Sequence, residues 1–150
     1  RSMTAELSQA LKVVLANHYA VSLKAQFYHW NVTGPNFSQN HIFFGNIYEE
    51  TSGAIDRIAE EIRSLNVYSP GSLEQFARMS QITGEESASV PATDVMFQRL
   101  LNDISIVSAS CMVVYGLAEQ EGCHNISNFM AERQDAFNKH MWMIRSTLEA

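Results

Sequence analysis

Cysteine is scarce in this sequence, and the few cysteines present form no recognisable pair. Cys111 and Cys123 lie twelve residues apart on a helical pattern, without a C-x-x-C motif. That spacing indicates neither a disulfide framework nor a thiolate zinc site, because both depend on cysteines in paired or regular spacings. The reducing cytoplasm is the compartment that fits this usage best.

Long apolar runs and targeting segments are also missing. No stretch approaches the roughly 20 apolar residues that a membrane-spanning helix needs. The first residues, Arg1-Ser2-Met3-Thr4, lack the apolar segment of a secretory signal peptide. We therefore expect a soluble protein that is not exported.

Basic residues are outnumbered, since 10 Lys and Arg stand against 16 Asp and Glu and give a formal net charge of −6. Sequence-independent binding of nucleic acid depends on Lys and Arg that neutralise phosphates. The N-terminus as far as Leu11 carries Arg1 as its only basic side chain, and the sequence ends on Leu148-Glu149-Ala150. DNA binding is therefore not expected.

Proline is rare as well, with three residues in 150, and apolar residues recur at helical spacing between the prolines. We predict a helix from Leu7 to Trp30 that ends before Gly34-Pro35. A second helix begins with an N-cap at Ser38 and runs to about Leu65.

The remainder of the chain predicts a crossover and two further helices. Residues 66–92 contain glycine, proline and many polar residues, with an embedded apolar cluster that suggests a short helix: Leu73, Phe76, Ala77 and Met79. Helices that start at Thr93 and at Asn125 follow it, separated by Gly122. We therefore predict one all-α domain over residues 1–150, a four-helix bundle with one long crossover.

Two histidines and two carboxylates suggest chemistry. His29 opens the run His-Trp-Asn-Val-Thr-Gly-Pro, His41 follows twelve residues after it, and Asp56 and Glu60 lie one helical turn apart. Neutral imidazole with carboxylate is a ligand mixture that iron and zinc accept. At about 1.5 Å rise per residue, His41 and Asp56 are roughly 22 Å apart and cannot hold one ion. We expect two chains, related by a two-fold axis, to share each site.

These residues also resemble those of a known family. The run His-Trp-Asn-Val-Thr-Gly-Pro-Asn-Phe, followed by His41, Tyr48-Glu49-Glu50, Asp56 and Glu60, resembles the Dps family, the miniferritins named for DNA protection during starvation. The segment 139–145 is similar to the final helix of that family. The resemblance implies a ferritin-like four-helix bundle as the subunit and a hollow homo-dodecamer as the assembly.

The same resemblance implies a function and a set of site residues. The function is oxidation of Fe²⁺ by hydrogen peroxide in preference to O₂, with storage of the ferric product and protection against oxidative stress. His29 and His41 of one subunit, with Asp56 and Glu60 of its two-fold mate, would be the metal ligands and catalytic residues of this ferroxidase. Iron is the expected metal, and zinc is a substitute with the same ligand preferences.

Gly45 departs from the family pattern, which has an aspartate at this position one turn after His41. Glycine offers no ligand, so we expect weaker binding of a second iron and reduced activity, unless Glu49 or Asn46 compensates. On this basis Gly45→Asp should raise occupancy of the second site. The alternative function is a metal-binding or structural cage whose ferroxidase activity is weakened or lost. A DNA-compacting protein is a less favoured alternative.

Each candidate residue also has a purely structural explanation. Asp56 and Glu60 would form a solvated helix face if they paired with Arg57 or Arg63. His18 is expected to be a core or interface residue, and His140 is expected to belong to the packing of the final helix. Glu121 and His124 have the E-x-x-H spacing of di-iron bundles, but no second copy of this motif exists, and Gly122 marks a helix end. We therefore do not assign these two residues to the site.

Overall fold

Helix α1 carries His29 near its end and leads into a turn, after which α2 carries His41. The structure is a computed structural model that describes residues 3–149, and no strand occurs in that range. The helices are α1 (Met3–Asn31), α2 (Phe37–Gly53), α3 (Ile55–Ser64), α4 (Leu73–Met79), α5 (Thr93–Gln120) and α6 (His124–Leu148), with one 3₁₀ turn at Ser87–Ser89. The predicted all-α bundle with a helix-containing crossover is confirmed.

Apolar side chains of α1, the α2–α3 pair, α5 and α6 form one shared core. Helix α1 packs against α2, α3, α4 and α5, and α5 packs along α6. The fully buried side chains come from every long helix and include Leu11, Leu15, Tyr28, Phe44, Ile58, Ile62, Leu100, Ile104, Phe137 and Ile144. Burial of such side chains contributes roughly 1.5–3 kcal/mol each, so this shared core holds the helices in place.

The second predicted helix differs from expectation at its start and in its middle. It begins at Phe37, and the N-cap residue is Asn36, whose side chain makes no capping hydrogen bond. The Phe37 N–H bonds to the Gly34 carbonyl at 3.1 Å, so the helix already begins at Phe37. Ser38 therefore lies in the first turn and is not the N-cap. The predicted run to Leu65 is also interrupted at Ala54, after exposed Gly53, where α2 ends and α3 begins. Glycine is a poor helix former, which accounts for the break.

The crossover is ordered because polar contacts hold it against α1 and α5. The Ser72 hydroxyl accepts the Gln75 N–H at 3.1 Å and caps α4. Asn17 on α1 accepts the Gln81 N–H at 2.8 Å, and Lys24 donates to the Thr83 carbonyl at 2.9 Å. These contacts explain why a connection of this length is not a disordered linker.

Helix α5 is long and apolar enough to span a membrane by length and composition. The expectation that no such stretch exists was therefore wrong. Its buried side chains, which run from Met96 to Ala118, pack within the bundle. Core helices of globular proteins pass the same compositional test. The apolar character of α5 is accounted for by its place in the core.

A buried ion pair between Lys24 and Asp103 generates a stability prediction. Lys24 Nζ lies 2.6 Å from Asp103 Oδ2, and both side chains are less than a tenth exposed. Lys24→Met would leave a buried carboxylate without its counter-charge, which costs about 3–5 kcal/mol. We expect the Tm, followed by circular dichroism, to fall by on the order of 10 °C.

Arg57→Met is the matched control, because Arg57 pairs with Glu132 at the surface, where such pairs contribute about 0–1 kcal/mol. The double variant Lys24→Met/Asp103→Leu should recover much of the loss, since it removes both charges. A Tm for Lys24→Met that matches that of Arg57→Met would contradict the assigned role of the buried pair.

Candidate metal centre

A tight turn between α1 and α2 brings the two candidate histidines together. Val32 N–H still bonds to the Tyr28 carbonyl at 2.9 Å, after which the chain reverses through Gly34 and Pro35. Gly34 has φ +113°, a backbone conformation that side chains with a Cβ rarely adopt. This glycine therefore permits the reversal that places His41 beside His29.

His29 and His41 are joined by two reciprocal hydrogen bonds. His29 Nδ1 lies 2.6 Å from the His41 carbonyl oxygen, and His41 Nδ1 lies 2.6 Å from the His29 carbonyl oxygen. Because a carbonyl oxygen only accepts, each Nδ1 must carry the proton and donate. In the neutral rings, this leaves each Nε2 with a free lone pair, the arrangement found in metal-binding histidines. Neither Nε2 has a hydrogen-bond partner within residues 3–149.

The two rings are stacked, which limits how they can bind metal. Their centroids are 3.8 Å apart and their planes differ by 14°. Nitrogen lone pairs lie in the ring planes, so those of nearly parallel rings do not converge on one ion at a bonding distance of about 2.1 Å. The pair as it stands suits two ions, one for each ring.

Asp56 and Glu60 lie on the exposed face of α3. If these carboxylates had only a structural role, they would pair with Arg57 or Arg63. Both arginines bond to other groups instead. Arg57 bonds to Glu132 at 3.1 Å, and Arg63 donates to the Val67 carbonyl at 3.0 Å. Neither carboxylate forms a hydrogen bond or ion pair with another residue of the described chain. Both carboxylates are therefore free to bind a cation.

One subunit alone brings together the histidines but not the carboxylates. Within residues 3–149, no three His, Cys, Asp or Glu side chains lie close enough to hold a metal ion. What the subunit offers is thus a stacked pair of nitrogen ligands at one place and a pair of unpaired carboxylates at another.

Comparison with known proteins identifies the family to which this arrangement belongs. The family model of the ferritin-like domain matches residues 8–150. A DNA protection during starvation protein from Brevibacillus brevis is 31% identical over 156 residues, which cover 98% of this chain and 100% of the relative. The chain belongs to the Dps family of ferritin-like proteins.

Solved structures of Dps proteins have the same fold. A Dps protein from Bacillus brevis superposes with a TM-score of 0.93 at 25% identity and covers 99% of both chains. A Dps protein from Vibrio cholerae O1, described as a member of a broad superfamily of ferritin-like diiron-carboxylate proteins, gives a TM-score of 0.92 at 26% identity, over 98% of this chain and 91% of its own.

Gly45, the departure from the Dps pattern, has a structural role that the sequence did not indicate. A Cβ atom at this position would lie 3.0 Å from both Cε1 and Nδ1 of His29, closer than side chains normally approach. The Cβ of a helical residue leans toward the preceding turn, so a side chain at 45 would cover the His41 carbonyl. The absence of a side chain gives His29 access to that carbonyl. Gly45→Asp would therefore crowd His29 as well as add a carboxylate, and the gain in second-site occupancy stays a prediction.

Sequence reasoning missed a polar cluster around buried Arg133, with the half-buried Glu50 at its edge. Arg133 donates to both carboxylate oxygens of Glu50 and, through Nε, to His18 Nε2 at 3.0 Å; His140 Nε2 lies 2.8 Å from Glu50 Oε1. Burial of His18 and His140 confirms their expected place in the bundle. An arginine on the apolar face of α6 was the available signal, because a buried charge requires a partner.

The charges in this cluster shift two pKa values. Burial, assisted by the nearby Arg133 charge, lowers the pKa of His18 to about 3. Burial alone would raise the pKa of Glu50, but hydrogen bonds from His140 and Arg133 outweigh it and lower the value to about 2. Glu50 is thus an anion and His18 a neutral ring at neutral pH.

The E-x-x-H pair at Glu121 and His124 does not form a ligand pair. Glu121 Oε1 accepts the Thr4 hydroxyl at 2.8 Å, whereas His124 is exposed and lies 3.4 Å from Glu119. The decision to leave both residues out of the site agrees with this geometry.

The position of Gly45 under His29 yields a prediction. Gly45→Ala should weaken Zn²⁺ binding by roughly 10- to 100-fold, because displacement of the His29 ring loosens the hydrogen bonds that orient both ligands. Isothermal titration calorimetry on the assembled protein measures this affinity.

Gly53→Ala is the matched control on the same helix, because a Cβ there meets nothing within 4 Å. Comparison of Gly45→Ala with Gly45→Asp separates crowding from the gain of a carboxylate. Unchanged Zn²⁺ affinity in Gly45→Ala would mean that the His29 ring can move without loss of affinity. Gly45 would then affect the site only because it lacks a carboxylate.

Proposed function

We propose that this Dps-family protein oxidises Fe²⁺ at a centre shared by two subunits and stores the ferric product. His29 and His41 come from one subunit, and Asp56 and Glu60 come from its two-fold mate. The observation that carries the proposal is the reciprocal bonding of the two histidines, which orients both rings and leaves both Nε2 atoms available. The unpaired carboxylates on α3 complete a nitrogen and oxygen ligand set suited to iron.

In the proposed site, the histidines orient the iron ions and the carboxylates supply negative charge. His29 and His41 fix the positions of the incoming Fe²⁺ ions, since their rings are already held by backbone carbonyls. Asp56 and Glu60 supply negative charge, which stabilises Fe³⁺ more than Fe²⁺. Two Fe²⁺ ions each give one electron to hydrogen peroxide, which takes up two protons and leaves as two water molecules. Removal of both reactants would limit oxidative damage in the cytoplasm.

Exposed apolar side chains support burial of this face against another subunit. Trp30 and Ile42, the sequence neighbours of His29 and His41, are 61% and 60% exposed, and Leu23 on α1 is 50% exposed. Leu23 and Trp30 line one surface groove, and exposed apolar side chains that lie together usually mark an interaction site. A two-fold contact over this face would bring the partner's α3 carboxylates to the histidines, and further contacts would close a dodecameric cage.

A cage with weakened ferroxidase activity is the second candidate function, and Gly45 is the observation that favours it. The missing carboxylate lowers the number of ligands beside His41, so the second iron would bind less firmly than the first. DNA compaction has less support, because the net charge of −6 opposes phosphate binding. The name of the Brevibacillus relative describes that protein and does not decide this one.

Removal of individual ligands tests the proposed centre. His29→Ala and Asp56→Ala should each slow peroxide-dependent Fe²⁺ oxidation by about 10- to 100-fold, because each removes a ligand without touching the core. Ferric absorbance after anaerobic Fe²⁺ loading and peroxide addition measures the rate. His124→Ala, in an exposed histidine outside the centre, is the control and should match the wild-type rate. An equal loss in all three variants would place the centre elsewhere.

Mixing of the two ligand variants tests whether the site is shared. Subunits with His29→Ala and subunits with Asp56→Ala, unfolded together and reassembled in equal amounts, should recover about a quarter of the wild-type sites. Such a site has its histidines from an Asp56→Ala chain and its carboxylates from a His29→Ala chain.

Two controls accompany the mixing experiment. Light scattering should give roughly 200 kDa, about twelve chains of 16.9 kDa, for the wild type and for the mixture. Each variant reassembled alone should keep only its own rate, about 10- to 100-fold below that of the wild type. A full-sized mixed assembly without any recovered activity would contradict a centre shared between subunits.

A further inference from the structure

The ring of His41 is stacked against two other rings. The His29 ring lies parallel to it, with centroids 3.8 Å apart and planes that differ by 14°. Phe37 also stacks on His41, with centroids 5.3 Å apart and planes that differ by 26°. In the described part of the chain, Phe37 and His29 make no ring contact with each other, so they cover opposite faces of His41. The three rings form one column with His41 in the middle.

The spacing of residues along α2 builds this column. Phe37, His41 and Gly45 are four residues apart and lie on one face of the helix. Side chains of a helix lean toward the preceding turn, so the His41 ring leans toward Phe37. Position 45 has no side chain, and a Cβ atom there would be 3.0 Å from Cε1 of His29. The His29 ring from α1 thus lies where the next side chain of the α2 face would extend.

Stacking complements the hydrogen bond of His41. The bond holds one ring atom, Nδ1, 2.6 Å from the His29 carbonyl oxygen and leaves Nε2 available. The χ2 torsion of histidine has broad preferences, so contacts on the ring faces are needed to narrow the rotation of the ring plane. A metal ion binds Nε2 in the plane of the ring. The direction in which His41 can hold an ion therefore depends on the rings that cover its faces.

Phe37 is placed to serve His41 and contributes little to the bundle itself. Its side chain is 43% exposed and lies outside the shared core of the described residues. Its backbone is fixed by the turn, because it is the first residue of α2 and its N–H bonds to the Gly34 carbonyl at 3.1 Å. The ring that it contacts is that of His41.

We infer that Phe37 is a positioning residue of the metal centre, which fixes the ring plane of His41 and thereby the direction of its Nε2. The inference rests on the proposed function, because His41 is a metal ligand only in that function. It links Phe37 to His41 and not to His29, whose ring lies at the other end of the column. Loss of the Phe37 ring should therefore weaken the ion held by His41 and spare the ion held by His29.

A double-mutant cycle between Phe37 and His41 tests the inference, with Zn²⁺ as the probe and isothermal titration calorimetry on the assembled protein as the measurement. Phe37→Leu should weaken Zn²⁺ binding by about 2- to 10-fold, the factor that corresponds to the strength of an aromatic pair. In the His41→Ala background the same change should leave the Zn²⁺ affinity unaltered. In the His29→Ala background the loss should persist, because the backbone carbonyl at position 29 still orients His41.

Two matched variants separate the ring contact from other effects. Phe37→Tyr keeps the aromatic ring and should bind Zn²⁺ as the wild type does. Ile42→Ala removes a similar apolar volume from a side chain that is 60% exposed and lies next to His41 in the sequence. It should leave the affinity unchanged. Light scattering checks that each variant assembles, and Phe37→Met replaces Phe37→Leu if the latter does not.

The outcomes distinguish a failure of this inference from a failure of the proposed centre. Wild-type Zn²⁺ affinity in the assembled Phe37 variant, or an equal loss with and without His41, overturns the inference, since the ring would then act elsewhere or not at all. If His41→Ala by itself binds Zn²⁺ as tightly as the wild type, the proposed centre is wrong and the role of Phe37 falls with it.

Discussion

Two hydrogen bonds between His29 and His41 connect the end of one helix to the start of the next, and the candidate centre depends on them. Each ring donates from Nδ1 to the carbonyl of the other residue. The His29 carbonyl belongs to the last turn of α1, where carbonyls have no partner within the helix, so the bond also completes the helix end. One contact therefore fixes the chain reversal, the ring orientation and the availability of both Nε2 atoms. Two glycines permit this contact. Gly34 adopts the backbone conformation that the reversal needs, and Gly45 has no side chain that would crowd the His29 ring.

The helical course of α2 and α3 explains why the described chain does not bring Asp56 and Glu60 to His41. His41 stands near the start of α2, whereas Asp56 and Glu60 lie on α3 beyond the break at Ala54. The break does not turn α3 back toward the end of α1, since Ala54 keeps right-handed helical backbone angles and its N–H bonds to the Thr51 carbonyl at 3.2 Å. Exposed carboxylates are well solvated in the free subunit, so the chain carries them without the penalty of burying an unpaired charge.

Sequence patterns predicted the features that depend on local periodicity and missed those that depend on distant partners. The long helices, the helix within the crossover and the burial of His18 and His140 followed from apolar spacing. The bond between His29 and His41 involves backbone carbonyls, which no residue pattern records. Glu50 and Arg133 are 83 residues apart, and only packing of α2 near α6 brings them together. Gly45 was understood as the loss of a ligand, because its contact with His29 exists only in three dimensions.

The bundle contains two sets of histidine and carboxylate groups, and their hydrogen bonds assign them opposite roles. Around Arg133, the lone pairs of His18 Nε2 and Glu50 already accept from a buried cation, and the cluster is electrically complete. At the turn, Nε2 of both histidines lacks a partner within the described subunit, and the α3 carboxylates lack a counter-charge. A cation gains most where lone pairs and charge are unmatched, since elsewhere it must first displace a group that the protein supplies. Within the described residues, the unmatched lone pairs and charges therefore lie on His29, His41 and the α3 carboxylates, and those around Arg133 are already matched.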